Sequence, residues 1–279
     1  NLSSQGLFKK YLYNKKNVKL IKKDISNFSN ILNSLKNNKI EIVIHAAAHF
    51  ANENSIINPE RDLKTNILGT LNILEYCRKK KIKKLIYLSS SCVYGDKNLT
   101  RENVTVDPNE TPYAISKYSG EQYVKFYKNY YGLNSVIVRV FNTYGPGEIS
   151  HRFRNVIPRF IDFALKNKNI VITGTGNETR DFTFVEDLVK FIEKLINLKN
   201  IPKIINVCTG KKTSINVLAK LIINLTKSQS KISYKPIRRW DKVKNRLGSV
   251  LKIKKYINTK KFVNLETGLK KTIQWYRNK

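Results

Sequence analysis

Apolar and polar positions along the first half of the chain follow two periods that take turns. Residues 17–25 (NVKLIKKDI) alternate apolar with polar, the period of a strand, and residues 26–36 have helical spacing. A short apolar run at 41–48 (EIVIHAAA) predicts a buried strand, and residues 63–80, which contain Asn66, Gly69 and Thr70, predict a helix. A second buried strand is predicted at 84–90 (KLIYLSS) and a third at 135–142 (SVIVRVFN). Between them, residues 112–131 predict a helix opened by Pro112, because proline suits the first helical turn. Strands that alternate with helices are βαβ units and imply a parallel, doubly wound sheet. Strands buried on both faces should be nearly continuous apolar runs, as these are.

Beyond Asn142 the pattern changes. Tyr144-Gly145-Pro146-Gly147 is a turn signal. A helix is expected at 155–166, a strand at 170–173, a helix from Val185, a strand at 204–207, and helices at 214–226 and 267–277. These shorter pieces suggest a smaller α/β unit over 146–279, packed on one end of the sheet formed by 1–145, with some segments returning to that sheet. Ligands of open parallel sheets bind outside the carboxyl ends of the strands. The chain places Asp24, His45, Ser89, Ser90 and Asn142 at those ends.

Composition narrows the class. With 41% hydrophobic and 26% charged residues, the chain is expected to be a soluble globular protein. No apolar run approaches the roughly 20 residues of a membrane span. Three scattered cysteines, Cys77, Cys92 and Cys208, fit a reducing cytoplasm better than a disulfide framework. No Cys/His spacing predicts a metal site. The net charge of +33 raises nucleic-acid binding, but the lysines are spread through nearly every segment and no nucleic-acid-binding signature accompanies them. The charge is therefore read as a solubility and steering property, and nucleic acid is not the expected partner.

Candidate chemistry centres on Tyr113-Ala114-Ile115-Ser116-Lys117. On a helix, Tyr113 and Lys117 share a face at i and i+4. An ammonium beside a phenol favours phenolate, which is a base for a hydroxyl proton. The pair follows Leu88-Ser89-Ser90-Ser91-Cys92-Val93-Tyr94-Gly95, a strand end with hydroxyls, where Ser90 can bond the same substrate oxygen.

These segments, with Val138 to Gly147 (VRVFNTYGPG) and Arg180 to Asp187 (RDFTFVED), resemble the extended short-chain dehydrogenase/reductase family, the nucleotide-sugar epimerases and dehydratases. Asn66-Ile67-Leu68-Gly69-Thr70, His45-Ala46-Ala47-Ala48 and Asn206-Val207-Cys208-Thr209-Gly210 resemble further family segments, with Cys208 in place of a glycine. The resemblance implies a Rossmann-like fold, an NAD cofactor and a nucleoside-diphosphate-sugar substrate. It implies catalytic roles for Ser90, Tyr113 and Lys117. It implies cofactor contacts at Asp24, Ile25, Ala46, Ala47, Ala48, Asn66, Ser89, Tyr113, Lys117 and Phe141. Substrate contacts are implied at Ser90, Asn142, Asn155, Val156, Arg180 and Arg238. It also implies a homodimer built from the helices at 63–80 and 112–131.

One family feature is missing. The family opens with a strand and a glycine-rich turn that holds a pyrophosphate on a helix N-terminus. Asn1-Leu2-Ser3-Ser4 resembles the segment after the family's second strand, so about 30 residues, one βα unit and a strand, are expected upstream. The acidic residue that separates NAD from NADP would precede Asn1, so NADP stays open.

Within the family, a C4 epimerase of the UDP-glucose 4-epimerase type is the leading expectation. The dehydratases carry Asp-Glu where this chain has Ser91-Cys92, which argues against dehydration. Cys92 and His151 fall where GDP-sugar 3,5-epimerases carry an acid–base pair, which keeps that reaction as an alternative. A non-catalytic nucleotide- or RNA-binding member is the alternative from another class.

Overall fold

A computed structural model describes residues 17–153, 155–241 and 243–279. Asn1 to Ser4, compared above with the segment after a second strand, lie outside the described residues.

The central sheet has four parallel strands. They are β1 (Ile42–His45), β2 (Lys84–Ser90), β3 (Ser135–Val140) and β5 (Ile204–Val207), side by side in that order. Alternation of side chains across the pleat divides the core in two. Leu85, Tyr87 and Ile137 face one side. There they meet α1 (Phe28–Leu35), α4 (Gly69–Lys79) and α5 (Pro112–Tyr131) through Ile31, Leu74, Val124 and Tyr127. Ile86, Val136 and Val138 face the other side and meet Leu188, Phe191 and Leu195 of α7 (Val185–Asn197). Both faces are covered, as parallel sheets require.

A separate apolar cluster joins α6 (Val156–Leu165), α8 (Ile215–Thr226) and α9 (Leu265–Arg277) through Ile157, Phe160, Ile161, Leu218, Ile222 and Leu269. Beside it β4 (Ile170–Thr173) pairs in parallel with β6 (Ile232–Lys235). No helix among the described residues is long and apolar enough to cross a membrane.

Two expectations need correction. Residues 17–25 form no strand; the segment is irregular, and the Asp24 carboxylate accepts from the Ser26 N–H and hydroxyl at 2.9 and 2.7 Å. Alternation alone does not make a strand without an edge to pair with. The helix expected over 63–80 is two pieces, a π-helical turn (Leu63–Leu68) and α4, and it is preceded without a break by α3 (Pro59–Asp62). The wide turn keeps Asp62 and Asn66 buried together. Gly69 then begins α4 where a side chain would strike the Ile25 side chain at 2.7 Å, so glycine there lets Ile25 dock.

Candidate active site

Helix α5 is fixed at its start by its own sequence and by a neighbour. Thr111 caps it by accepting from the Ala114 N–H, Pro112 occupies the first turn, and the Tyr113 N–H donates to Ser55 Oγ at 3.0 Å. Ser55 belongs to α2 (Asn52–Ile57). Tyr113 is thereby held at the carboxyl edge of the sheet, edge-on to the Phe50 ring. Ser90 ends β2, and its Oγ accepts from the Cys92 N–H at 3.2 Å. Ser90 and Tyr113 line the same cleft.

Burial pushes the Tyr113 phenol well above its ordinary value; Cys92 and Asp62 push the same way and the Ser90 hydroxyl opposes them. The lowering expected from Lys117 does not prevail. Lys117 is buried below, with Nζ 4.4 Å over the Tyr87 ring. Burial pulls its ammonium down to about 8, against Glu121 and Asp62, which support the charge. Gly120 makes this stack possible, because a side chain there would collide with the Tyr87 hydroxyl.

Tyr113 lines a cleft of about 430 Å³. Ser89, Ser90, Cys92, Asn142, Asn155, Val156, Arg180 and Arg238 line it, so the structure gathers every residue expected to touch substrate. The Asn142 amide donates to the Asp181 carbonyl at 3.0 Å. Arg180 pairs with Asp241 at 3.4 Å, and Arg238 lies over the Trp240 ring, 3.9 Å from Glu53. Burial pulls Arg180 down, as does the neighbouring Arg246.

Other expected residues lie elsewhere. His151 is exposed and packs toward the Phe153 ring, while Cys92 lines the cleft. Phe141 is fully buried among Val93, Tyr94 and Cys208 as a core aromatic. Ser89 donates to Glu121 Oε1 at 2.7 Å. Asn66 is buried, accepting from the His49 N–H at 2.7 Å and donating toward the His49 carbonyl, Asp62 and Ser116.

Sequence reasoning missed three cleft residues. Arg246 stands 3.3 Å from Cys92 Sγ and 3.2 Å from Glu110, Glu53 also faces Arg152, and Arg159 lines the wall beside Arg238. None sits in a recognisable motif. Their positions depend on the chain returning to the cleft from distant segments.

The carboxyl end of β1 is open. Ala46 and Ala47 leave the strand end exposed with only methyl groups above it. Lys117 lies close enough to the preceding His45 to help pull that imidazole down, after burial, to about 3. Among the described residues, no group of His, Cys, Asp and Glu could hold a metal ion.

Comparison with known proteins agrees with this geometry. Residues 6–208 match the profile of the NAD dependent epimerase/dehydratase family. A putative UDP-glucose 4-epimerase of Methanocaldococcus jannaschii is 38% identical over 250 residues, which are 86% of this chain and 78% of that protein. An epimerase structure from the methanogen Methanothermobacter thermautotrophicus superposes with a TM-score of 0.92 at 33% identity, covering 100% of this chain and 83% of the other. The Thermus thermophilus UDP-glucose 4-epimerase, solved with NAD, gives 0.86 at 26% identity over 94% of this chain and 86% of that one. With its Rossmann-like parallel sheet, hydroxyl–phenol–lysine set and open strand end, the chain belongs to the NAD-dependent epimerase/dehydratase family of enzymes, whose cofactor is NAD.

Proposed function

We propose that this protein epimerises a nucleoside-diphosphate sugar at C4 through a 4-keto intermediate. The observation that carries the reading is that Ser90 and Tyr113 line one cleft, with the buried Lys117 one helical turn from Tyr113 and no carboxylate at positions 91 and 92. Ala46, Ala47, Tyr113 and Lys117 would hold NAD, which when bound supplies the acceptor and later the donor of one hydride. Tyr113 takes the C4 hydroxyl proton as that carbon is oxidised, and the positive charges of Lys117 and of bound NAD would favour the ionised phenol that burial alone disfavours; Ser90 hydrogen-bonds the same oxygen. The ketone turns over in the cleft. Tyr113 then returns its proton to the oxygen as hydride re-enters on the opposite face, so protons and electrons balance over the cycle. Asn142, Asn155, Val156, Arg180 and Arg238 would hold the nucleotide and diphosphate while the sugar moves, arginine being suited to phosphate oxygens.

Residues 146–279 supply most of that binding wall and residues 1–145 the dinucleotide side. Helices α4 and α5 are the proposed dimer contact, since α5 exposes Tyr123, Phe126, Tyr130 and Tyr131. Sedimentation at moderate salt should then give a dimer mass; a monomer removes that part of the reading. For the C3/C5 alternative, His151 is exposed and packs toward Phe153. Incubation with UDP-, GDP- and dTDP-sugars, followed by product analysis, tests the main proposal. A C4-inverted product is expected; a dehydrated or C3/C5-inverted product overturns it.

A further inference from the structure

The lysines are spread along the chain, but the fold gathers a set of them at one edge. In a parallel sheet every strand is entered from the same side. The links that lead into the four central strands are residues 36–41 after α1, 80–83 after α4, 132–134 after α5 and 198–203 after α7. Backbone hydrogen bonds join them across the sheet. The Lys83 N–H donates to the Glu41 carbonyl at 2.9 Å, Leu85 to Asn134 at 2.9 Å and Ile137 to Lys203 at 3.0 Å. These links carry seven lysines, all exposed, and one carboxylate. That carboxylate is Glu41, and Lys83 already holds it at 2.6 Å. The links carry no arginine and no aromatic ring. At the end of α4, Arg78 and Glu75 pair with each other at 2.8 Å, and Lys79 adds one more ammonium.

The opposite edge, which bears the cleft, is built differently. Among the described residues, five arginines, five carboxylates and no lysine line the cleft. Ion pairs there join Arg180 to Asp241 and Arg246 to Glu110. Arginine offers a rigid fork to individual phosphate oxygens, whereas lysine is a hydrated point charge on a flexible stem. The cleft therefore has the chemistry to grip one anion of fixed shape. The lysine edge instead presents positive charge that nothing on the same edge balances. Strand entrances about 5 Å apart spread that charge over a broad front.

We propose that this edge docks the protein on the anionic surface of a lipid bilayer, with the cleft facing away into solution. Charge complementarity carries the proposal. Beyond the Glu41–Lys83 pair, six exposed ammoniums remain on the links, and clusters of about four to eight basic residues are the usual match for anionic headgroups. Each lysine close to such a surface is worth about five-fold in affinity. Single-stranded nucleic acid is bound where aromatic rings stack its bases, and these links offer no ring. The proposal is independent of the sugar and of the reaction assigned above.

The test is co-sedimentation of the full-length protein with vesicles of phosphatidylcholine alone and with about 30% phosphatidylserine added. Binding to the second and not to the first is expected, with release when salt is raised to about 0.5 M, where screening shortens the reach of the charges. Lys39→Glu, Lys80→Glu and Lys203→Glu together, one from each lysine-bearing link, should weaken binding by at least about 10²-fold. Lys211→Glu, Lys212→Glu and Lys220→Glu change the net charge equally but lie in the loop after β5 and on α8, and should cost no more than a few-fold. Equal losses in the two triple variants would make net charge the cause and overturn the proposal, as would indifference to phosphatidylserine. A uridine oligonucleotide that displaces the vesicles and stays bound at the higher salt would also overturn it, making the edge a nucleic-acid site. If the first triple variant does not fold, Lys36→Gln, Lys81→Gln and Lys199→Gln remove charge without reversing it and should weaken binding by about 10²-fold; unchanged binding in that folded variant overturns the proposal equally.

Discussion

The Arg139 guanidinium forks onto the Glu121 carboxylate at 2.8 and 2.6 Å, with both side chains almost completely withdrawn from water. Arg139 comes from β3 and Glu121 from the helical turn after Lys117, so the pair ties α5, the helix of Tyr113 and Lys117, to the sheet. Ser89 adds a third bond to the same carboxylate. Breaking one side of a buried pair leaves the other charge uncompensated, which typically costs about 3–5 kcal/mol. Glu121→Ala should lower stability by about that amount in urea unfolding. Replacing both partners with apolar residues of similar volume should cost much less. Equal losses in the single and double variants would mean that packing, not charge, dominates.

A second prediction concerns the floor beneath Lys117. Gly120→Ala places a methyl group where the Tyr87 hydroxyl lies, and that tyrosine's ring supports the Lys117 ammonium. Overpacking of this kind costs about 1–3 kcal/mol. Because the displaced ring sits under Lys117, turnover should fall along with stability. A variant of lower stability but unchanged kcat would show that Lys117 keeps its place without Tyr87.

Much of this arrangement is legible in the amino-acid sequence, for local reasons. The helix expected at 112–131 has those bounds in the structure, because Thr111 caps it, Pro112 opens it, and Gly132 takes the left-handed conformation that ends it. The strand expected at 84–90 also holds to the residue, its apolar run being buried on both faces. Ser90, Tyr113 and Lys117 lie close together along the chain at a spacing that a helix and a strand end make meaningful. Arg246 gives no such signal, since it meets Cys92 across 154 residues of sequence. Nor does alternation at 17–25 yield a strand, because pairing depends on a neighbouring edge that local pattern does not encode. Asp62 is the nearer miss: it precedes Asn66 by one helical turn, and a carboxylate there faces the same way.

Acid stability supplies a third prediction. Burial holds His45 neutral in the folded protein, lowering it from 6.5 to about 3. Between those values the unfolded chain binds a proton that the folded one does not. Stability contributed by this group is therefore complete above 6.5 and lost as pH falls, at up to about 1.4 kcal/mol per pH unit. His45→Gln keeps a partner for Thr70 and cannot take up the proton. Its unfolding free energy should fall less steeply than that of the unsubstituted protein between about pH 6 and about pH 4. Parallel curves would place the imidazole in water in the folded state.

The final prediction separates the two leading reactions. Tyr113→Phe keeps the ring against Phe50 and removes the base, so turnover should drop by at least about 10²-fold, the scale of a lost general acid–base group. Nucleotide-sugar affinity should change little, because the proposed diphosphate contacts, Asn155 and Arg180, are left in place by the substitution. Cys92 shares the cleft with Tyr113, but the C4 cycle gives its thiol no proton to carry. Cys92→Ala should therefore leave C4 inversion within a few-fold of the unsubstituted rate. C3/C5 inversion instead needs a second group to exchange a carbon-bound proton, and the thiol is the group in place to do so. Under that reaction Cys92→Ala would be nearly as damaging as Tyr113→Phe, and solvent deuterium would enter the sugar at C3 and C5. C4 inversion retained in Cys92→Ala, with no deuterium at those carbons, is the expected result; a folded, cofactor-loaded but inactive variant would assign the chemistry to the thiol.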